Sequence, residues 1–190
     1  MHQLIAVLEQ APTPTEARGL ARSHYASAQY APLTNAFDSF TPATDLDDSR
    51  DVLPREATDA GAFRADTDAA QSFLDDLWEQ TQREQTRHLA ILNAAFERLD
   101  DDQILDNTFI DGVDVDGHQP NGRCESCATE RGSVRDSMRA LGTWQHPFYR
   151  IYDQYGEAVR SPTDYQRLTE QLHSKDDDQA WFVVPLDVHY

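Results

Sequence analysis

The amino-acid sequence of 190 residues predicts an α+β fold. Two observations carry this prediction. Both ends of the chain alternate short apolar, β-prone runs with helical segments that begin with good capping residues. Between them, the stretch from Asp66 to Leu99 contains neither Gly nor Pro and repeats apolar residues at helical spacing.

The N-terminal end predicts one strand followed by one helix. Leu4–Leu8 is a short apolar run typical of a buried strand. Thr13 is a favourable N-cap, Pro14 suits the first helical position, and Glu16 completes a capping box. The helix is expected to end before Pro32.

The C-terminal end predicts two strands, a helix and a closing strand. The strands are expected at 148–153 and 157–160, and Ser161 then caps a helix that starts with Pro. The chain closes with an apolar strand, 181–189, in which Pro185 indicates a sheet edge or a bulge.

The combined order, β-α followed by β-β-α-β, is that of a ferredoxin-like (split βαβ) sheet. Its core would comprise residues 1–30 and 147–190, and residues 31–146 would form a large helical insertion. The insertion is expected to hold a long loop, the helix 66–99, a hairpin at 107–116 with an Asp-Gly turn, and a loop with both cysteines.

The predicted helix 66–99 is too long for a domain of this size to cover. It would extend about 50 Å. Either the helix bends near Thr81–Gln85, or part of it packs on another chain. The second possibility predicts a protein partner or a homodimer through this helix. One face carries most of its apolar residues: Leu74, Leu77, Trp78, Leu89, Leu92, Ala95, Phe96 and Leu99, with His88 among them.

The closing segment Trp181–Tyr190, with the opening strand and helix, resembles small uncharacterised proteins of phages and archaeal viruses. This resemblance covers about a third of the chain and implies no activity. A Gly-Gly-Arg-Trp stretch common in those proteins is missing here.

The charge composition indicates a protein adapted to concentrated salt. The chain has 34 acidic and 16 basic residues, a formal charge of -18, and Lys175 as its single lysine. In about 1 M salt the Debye length falls to about 3 Å, so the self-repulsion of such a surface is screened. The composition resembles that of haloarchaeal proteins, and a high-salt cytoplasm or a virion is the expected location.

The same composition bears on binding partners. Direct binding to nucleic acid is not expected, because that affinity comes from Lys and Arg neutralising phosphates. No apolar run approaches the roughly 20 residues of a membrane-spanning helix.

Cys124 and Cys127 have the spacing of metal ligands. A closed zinc site needs four ligands, and His118 and His146 are the candidates on either side. A zinc ion there would stabilise an insertion with little core of its own. A redox dithiol and a pair of structural thiols without ligand are the alternatives.

Several other motifs are interpreted as structural. The segment Asp111–Gly117 imitates a calcium loop, but the position of the bidentate glutamate falls on Arg123. Runs such as Asp100–Asp102 are expected by chance in a chain with 24 Asp and indicate solvated loops. His88 is expected to be a hydrogen-bonded histidine of the core or of an interface. His2 and His189 would be neighbours if the terminal strands pair.

No catalytic signature is present, so we predict a non-enzymatic interaction or accessory protein of a halophilic archaeon or its virus. Two alternatives stay open. One is a zinc- or thiol-dependent redox protein or enzyme that uses Cys124 and Cys127. The other is an acidic mimic of nucleic acid.

Overall fold

A computed structural model describes most of the chain and divides it into two compact units. Unit 1 comprises Met1–Glu79 and Pro147–Tyr190, and unit 2 comprises Gln80–His146. The end of unit 2 coincides with the end of the predicted insertion, whereas residues 31–79 fall in unit 1 with the chain termini. The described residues are 2–26, 39–43, 53, 60–114, 129–142, 148–173 and 180–189.

The helices and strands agree in type with most of the predicted ones. The long helix α2 is confirmed, and the boundary between the units falls within it. In chain order the elements are β1 (His2–Ala11), α1 (Pro14–Ala26), β2 (Ser39–Pro42), β3 (Phe63–Arg64), α2 (Asp68–Arg98), α3 (Asp101–Leu105), β4 (Ile110–Asp114), β5 (Thr129–Gly132), α4 (Val134–Gly142), β6 (Ile151–Tyr152), α5 (Pro162–Leu172) and β7 (Ala180–His189).

The sheet of unit 1 is mixed, with strand order β2-β7-β1-β6. The terminal strands β1 and β7 pair antiparallel over their full ten residues, which places His2 opposite His189 in the backbone register. Strands β2 and β3 both pair with β7. Part of the predicted insertion therefore contributes strands to the sheet.

The α+β class is confirmed, but the strand order next to β1 differs from the expected one. In a split βαβ unit a third strand lies between the two parallel strands. Here β1 and β6 are parallel and adjacent, with Ala6 opposite Ile151. The segment predicted as the strand 157–160 contributes a single bridge, from Ala158 to Tyr152. A ferredoxin-like arrangement is therefore not established.

The short turn after β6 explains why that segment stays short. The carboxylate of Asp153 accepts hydrogen bonds from the backbone N–H groups of Tyr155 and Glu157, at 2.8 and 2.9 Å. Gly156 has a φ of 77°, in the left-handed region that favours glycine. The chain thus reverses within a few residues and enters α5 soon afterwards.

Pro185 lies in an interior strand, where an edge or a bulge was expected. It stands opposite Ala6 in the continuous pairing of β7 with β1. On the other side of β7, strand β3 pairs with Phe182 and Val183, and strand β2 pairs with the residues from Leu186 onwards. Pro185 falls in the interval between these two pairings, where a missing N–H removes no hydrogen bond of that ladder.

Both predicted helix caps are confirmed. The backbone N–H of Glu16 donates to the side chain of Thr13 at 3.2 Å. Ser161 and Asp164 form a reciprocal capping box with two hydrogen bonds of 3.1 Å. Burial alone would raise the pKa of Asp164, but the hydrogen bonds from Ser161 hold it below its usual value.

The core of unit 1 covers both faces of the sheet. Side chains alternate between the faces of a strand. Ala6 and Leu8 face a cluster formed with α2 and α5, whereas Ile5 and Val7 are fully buried on the opposite face. Helix α1 lies against β1, β2 and β7 and buries Ala17 and Ala21. The cluster with α2 and α5 includes Leu74, Leu77, Trp78, Ile151, Leu168, Leu172 and Val183.

Unit 2 has a separate core. The second part of α2 packs against β4 and α4, with α3 at the edge of the cluster. Ser133 caps α4 through its side chain, which accepts from the N–H of Asp136 at 3.3 Å. The buried residues of this cluster are Ile91, Ala94, Ala95, Ile110, Val113 and Val134.

The predicted hairpin at 107–116 is replaced by one strand that pairs with β5. Residues Ile110–Asp114 are antiparallel to Thr129–Gly132, with an irregularity between Ile110 and Val113. Gly112 has a φ of 70°, so the Asp-Gly pair forms a bulge where a turn was expected. The bulge turns both Ile110 and Val113 towards the core, and their burial explains why it is favoured.

Candidate interaction surface

The four predicted zinc ligands, His118, Cys124, Cys127 and His146, lie outside the described residues. The zinc site therefore stays a prediction from the sequence. Within the part of the chain that the structure describes, no three His, Cys, Asp or Glu side chains group closely enough to hold a metal ion.

His88 is a hydrogen-bonded histidine, as the sequence predicts. Its Nδ1 lies 3.3 Å from the Oγ of Ser137, which is fully buried on α4. The imidazole is half-buried on α2. This contact joins two helices of unit 2, and a serine on the buried side of a helix is poorly placed to attack a substrate.

The acidic run Asp100–Asp102 serves to begin a helix. Asp100 is the N-cap of α3 and accepts the N–H of Gln103 at 2.9 Å. Asp101 and Asp102 are exposed in the first turn, where negative charge suits the helix dipole. The interpretation as solvated carboxylates fits this geometry. The corresponding runs at 45–48 and 176–178 lie outside the described residues.

A small open cleft of about 150 Å³ lies at the start of α5. It combines acidic and basic side chains, among them Asp153, Asp164 and Arg167. Both carboxylates already accept hydrogen bonds from backbone N–H groups, Asp153 from its own turn and Asp164 from the helix cap Ser161. The polar groups here stabilise local structure, and general acid–base work would require a carboxylate released from that role.

The most unusual surface of unit 2 lies on α2. Leu89 is 51% exposed and Phe96 is 60% exposed, two turns apart on the same side of the helix. Leu92 and Leu99 are half-buried beside them and pack partly against the core of the unit. An apolar strip therefore continues from the core to the surface.

This strip belongs to a longer helix surface without charge, which we call the uncharged face. Every residue on it is exposed or half-buried. It runs for about 26 Å along α2, in a chain of net charge -18. Its members are Gln82, Gln85, Thr86, Leu89, Leu92, Asn93, Phe96 and Leu99.

The sequence pattern predicted this helix correctly but assigned residues from two different sides of it to one apolar face. The predicted apolar face included Ala95, which is buried, together with Leu89 and Phe96, which are exposed. The buried side of unit 2 is centred on Ile91 and Ala95. A signal for the exposed side was present, because residues 82, 85, 89, 92, 96 and 99 follow the alternating three- and four-residue spacing of a helix-pairing surface.

Within the described ranges, no helix has both the length and the apolar character needed to cross a membrane.

Comparison with known protein families finds a match in the C-terminal part of the chain. Residues 121–190, just over a third of the chain, are similar to a domain of unknown function, DUF7995. Neither the curated proteins nor the solved structures contain a match to this chain.

Proposed function

We propose that this protein is a non-enzymatic interaction or accessory protein of a halophilic archaeon or one of its viruses. It acts by binding another protein chain through the uncharged face of α2. The observation that carries the proposal is the exposure of Leu89 and Phe96 on a charge-free helix surface.

The composition of the uncharged face supports a binding role. Protein interfaces are depleted in charged residues and enriched in aromatic ones at their centre. Burying one Leu or Phe side chain contributes about 1.5–3 kcal/mol. Leu89 and Phe96 are 51% and 60% exposed. A partner that covers both would therefore gain roughly 2–3 kcal/mol without removing any charge from water.

The acidic character of the chain supports a setting of concentrated salt. A net charge of -18 disfavours contact with most cytosolic surfaces in dilute buffer through repulsion. Salt at molar concentration screens that repulsion to about 3 Å. An apolar contact keeps its strength under those conditions, whereas a contact built on ion pairs weakens.

A capture experiment tests this proposal. The tagged protein is incubated with an extract of a halophilic host in 2 M KCl that also contains an untagged copy of the chain. Retained proteins are then compared between the wild type and Leu89→Glu. We expect at least one retained protein to be lost with Leu89→Glu, because the new carboxylate would be buried without a partner.

Leu105→Glu is the matched control. Leu105 is 74% exposed in the same unit but lies on α3, outside the uncharged face. It should retain the same proteins as the wild type. Identical retention by the wild type and Leu89→Glu would contradict the proposed function.

A further inference from the structure

We infer that the partner of the uncharged face is a second copy of this chain, bound with the two α2 helices antiparallel. This inference rests on the proposed function, since it names the occupant of the same surface. It is carried by the spacing of the face, by its lack of charge and by the acidic residues that follow α2.

The spacing of the face is that of helices that pair along their length. Residues 82, 89 and 96 take one position of a seven-residue repeat, and 85, 92 and 99 take the other. The helical hydrogen bonding continues to Leu99, whose N–H donates to the carbonyl of Ala95 at 2.9 Å. A matching helix can thus insert its side chains between those of this face.

The lack of charge favours a copy of the same chain. Two molecules of charge -18 repel each other, and like charges brought together at an interface cost further free energy. The uncharged face brings no carboxylate into the contact. It is also self-complementary, as a two-fold symmetric interface requires.

The acidic start of α3 favours the antiparallel direction. Asp100, Asp101 and Asp102 follow the face directly and are exposed. Parallel helices would bring the two acidic runs side by side. Antiparallel helices centred near residue 94 would place the two acidic runs beyond opposite ends of the paired surface, because each run follows the C-terminal end of its own α2.

The same register pairs the apolar residues with one another. With the two-fold axis near residue 94, Leu89 of one copy lies at the level of Leu99 of the other. Leu92 then lies at the level of Phe96. All four apolar residues of each face are covered in this arrangement, and the polar residues Gln82 and Gln85 lie towards its rim.

Sedimentation equilibrium of the purified chain in KCl between 0.5 and 3 M tests the dimer. We expect a dimer whose dissociation constant falls as the KCl concentration rises, because screening removes repulsion while apolar burial is kept. Phe96→Glu should weaken it by at least about 100-fold, since each dimer loses two buried rings. Leu105→Glu should leave it unchanged, and circular dichroism confirms that both variants keep their helix content.

A monomer at every salt concentration, or a dimer that Phe96→Glu leaves intact, overturns the inference. If the capture experiment still shows a different protein retained through Leu89, the proposed function stands while this inference falls. Dissociation of the dimer by added KCl would also overturn it, because that response indicates contacts between opposite charges.

A spin label distinguishes the two directions. It is attached through a keto-bearing amino acid in place of Arg83, which is exposed and off the uncharged face, so that the native cysteines stay unlabelled. In the antiparallel dimer the labelled positions lie about 33 Å apart along the helix direction. In a parallel dimer only the interaxial distance of about 8–10 Å and the label linkers separate them. A measured separation below about 20 Å would overturn the antiparallel direction.

Discussion

Gly132 allows strand β5 to lie directly against helix α2. A Cβ at this position would lie 2.7 Å from the Cδ1 and 2.9 Å from the Cγ2 of Ile91. Ile91 is 1% exposed and stands in the centre of the core of unit 2. Two branches of one buried side chain are thus too close for an added methyl group.

We predict that Gly132→Ala lowers the free energy of unfolding by about 1–3 kcal/mol, because Ile91 must leave its position in a packed core. Denaturant unfolding, together with amide exchange in β4 and β5, measures the effect. Gly19→Ala is the opposite control: it lies in α1 with nothing within 4 Å of the added methyl group. It should stabilise the chain by about 0.5–1 kcal/mol. Equal unfolding midpoints for Gly132→Ala and the wild type would contradict the close packing.

For single residues, the sequence predicted the helix caps but not the positions where two segments of backbone and side chain pack closely together. Thr13 and Ser161 can be recognised as helix caps from the sequence, because each accepts a hydrogen bond from a residue three positions later in the chain. Gly132 looks like any loop glycine, because Ile91 is 41 positions away in the sequence. Only the packing of β5 on α2 gives this glycine its role.

Helices α2 and α5 of unit 1 are joined through Tyr165. Its hydroxyl donates to a carboxylate oxygen of Asp75 at 2.5 Å and accepts from the amide of Gln71 at 3.3 Å. Its ring stacks on Trp78, with centroids 5.1 Å apart and planes at 9°. Burial, followed by the hydrogen bond and the charge of Asp75, raises the pKa of Tyr165.

We predict that Tyr165→Phe costs about 1 kcal/mol at neutral pH, because the ring stacking remains while the hydrogen bond to Asp75 is lost. The pH dependence gives a second signature. A raised pKa in the folded state means that stability is fully present below about pH 10 and falls as the pH rises further, since the unfolded chain loses its proton first. Tyr165→Phe should make that alkaline decline shallower.

Tyr155→Phe is the control for this prediction. Tyr155 is 68% exposed on the turn before α5, so removal of its hydroxyl should leave the free energy of unfolding at neutral pH unchanged. Urea unfolding at several pH values between 7 and 11 measures both variants. An alkaline decline that is equally steep in Tyr165→Phe and the wild type would contradict the contribution of Tyr165.

At the scale of elements, the sequence predicted helices better than strands. The extents of α2 and α5 follow from periodicity and caps, which depend on neighbours within one or two turns. Strands β2 and β3 were missed because each is short and is held by β7, more than 100 positions later in the chain. The prediction of a hairpin at 107–116 was wrong for the same reason, because β4 pairs with the more distant segment β5.

For the whole molecule, the net charge of -18 predicts a dependence of stability on salt. Repulsion between carboxylates acts over about 10 Å at 0.1 M salt but only about 3 Å at 1 M. We expect the free energy of unfolding to rise by about 3 kcal/mol between 0.2 and 3 M KCl, which corresponds to roughly 10 °C in the melting temperature for a chain of this size. Thermal unfolding followed by circular dichroism measures it.

Glycine betaine provides the control for screening, because it is excluded from protein surfaces but carries no net charge. If it raises the melting temperature as much as KCl does, general exclusion from the surface and not charge screening is responsible. A melting temperature that does not change with KCl would contradict the interpretation of the acidic surface as an adaptation to salt.

The sequence by itself determined the α+β class, the extent of the long helix and the acidic surface. All three depend on composition or on residues close together in the chain. The tertiary structure decided which strands pair and which side of α2 faces the core, because these depend on contacts between distant segments. It buried Ile91 and Ala95 and left Leu89 and Phe96 exposed. When a helix has apolar residues on more than one side, the sequence pattern alone does not determine which side is buried in the core of the protein.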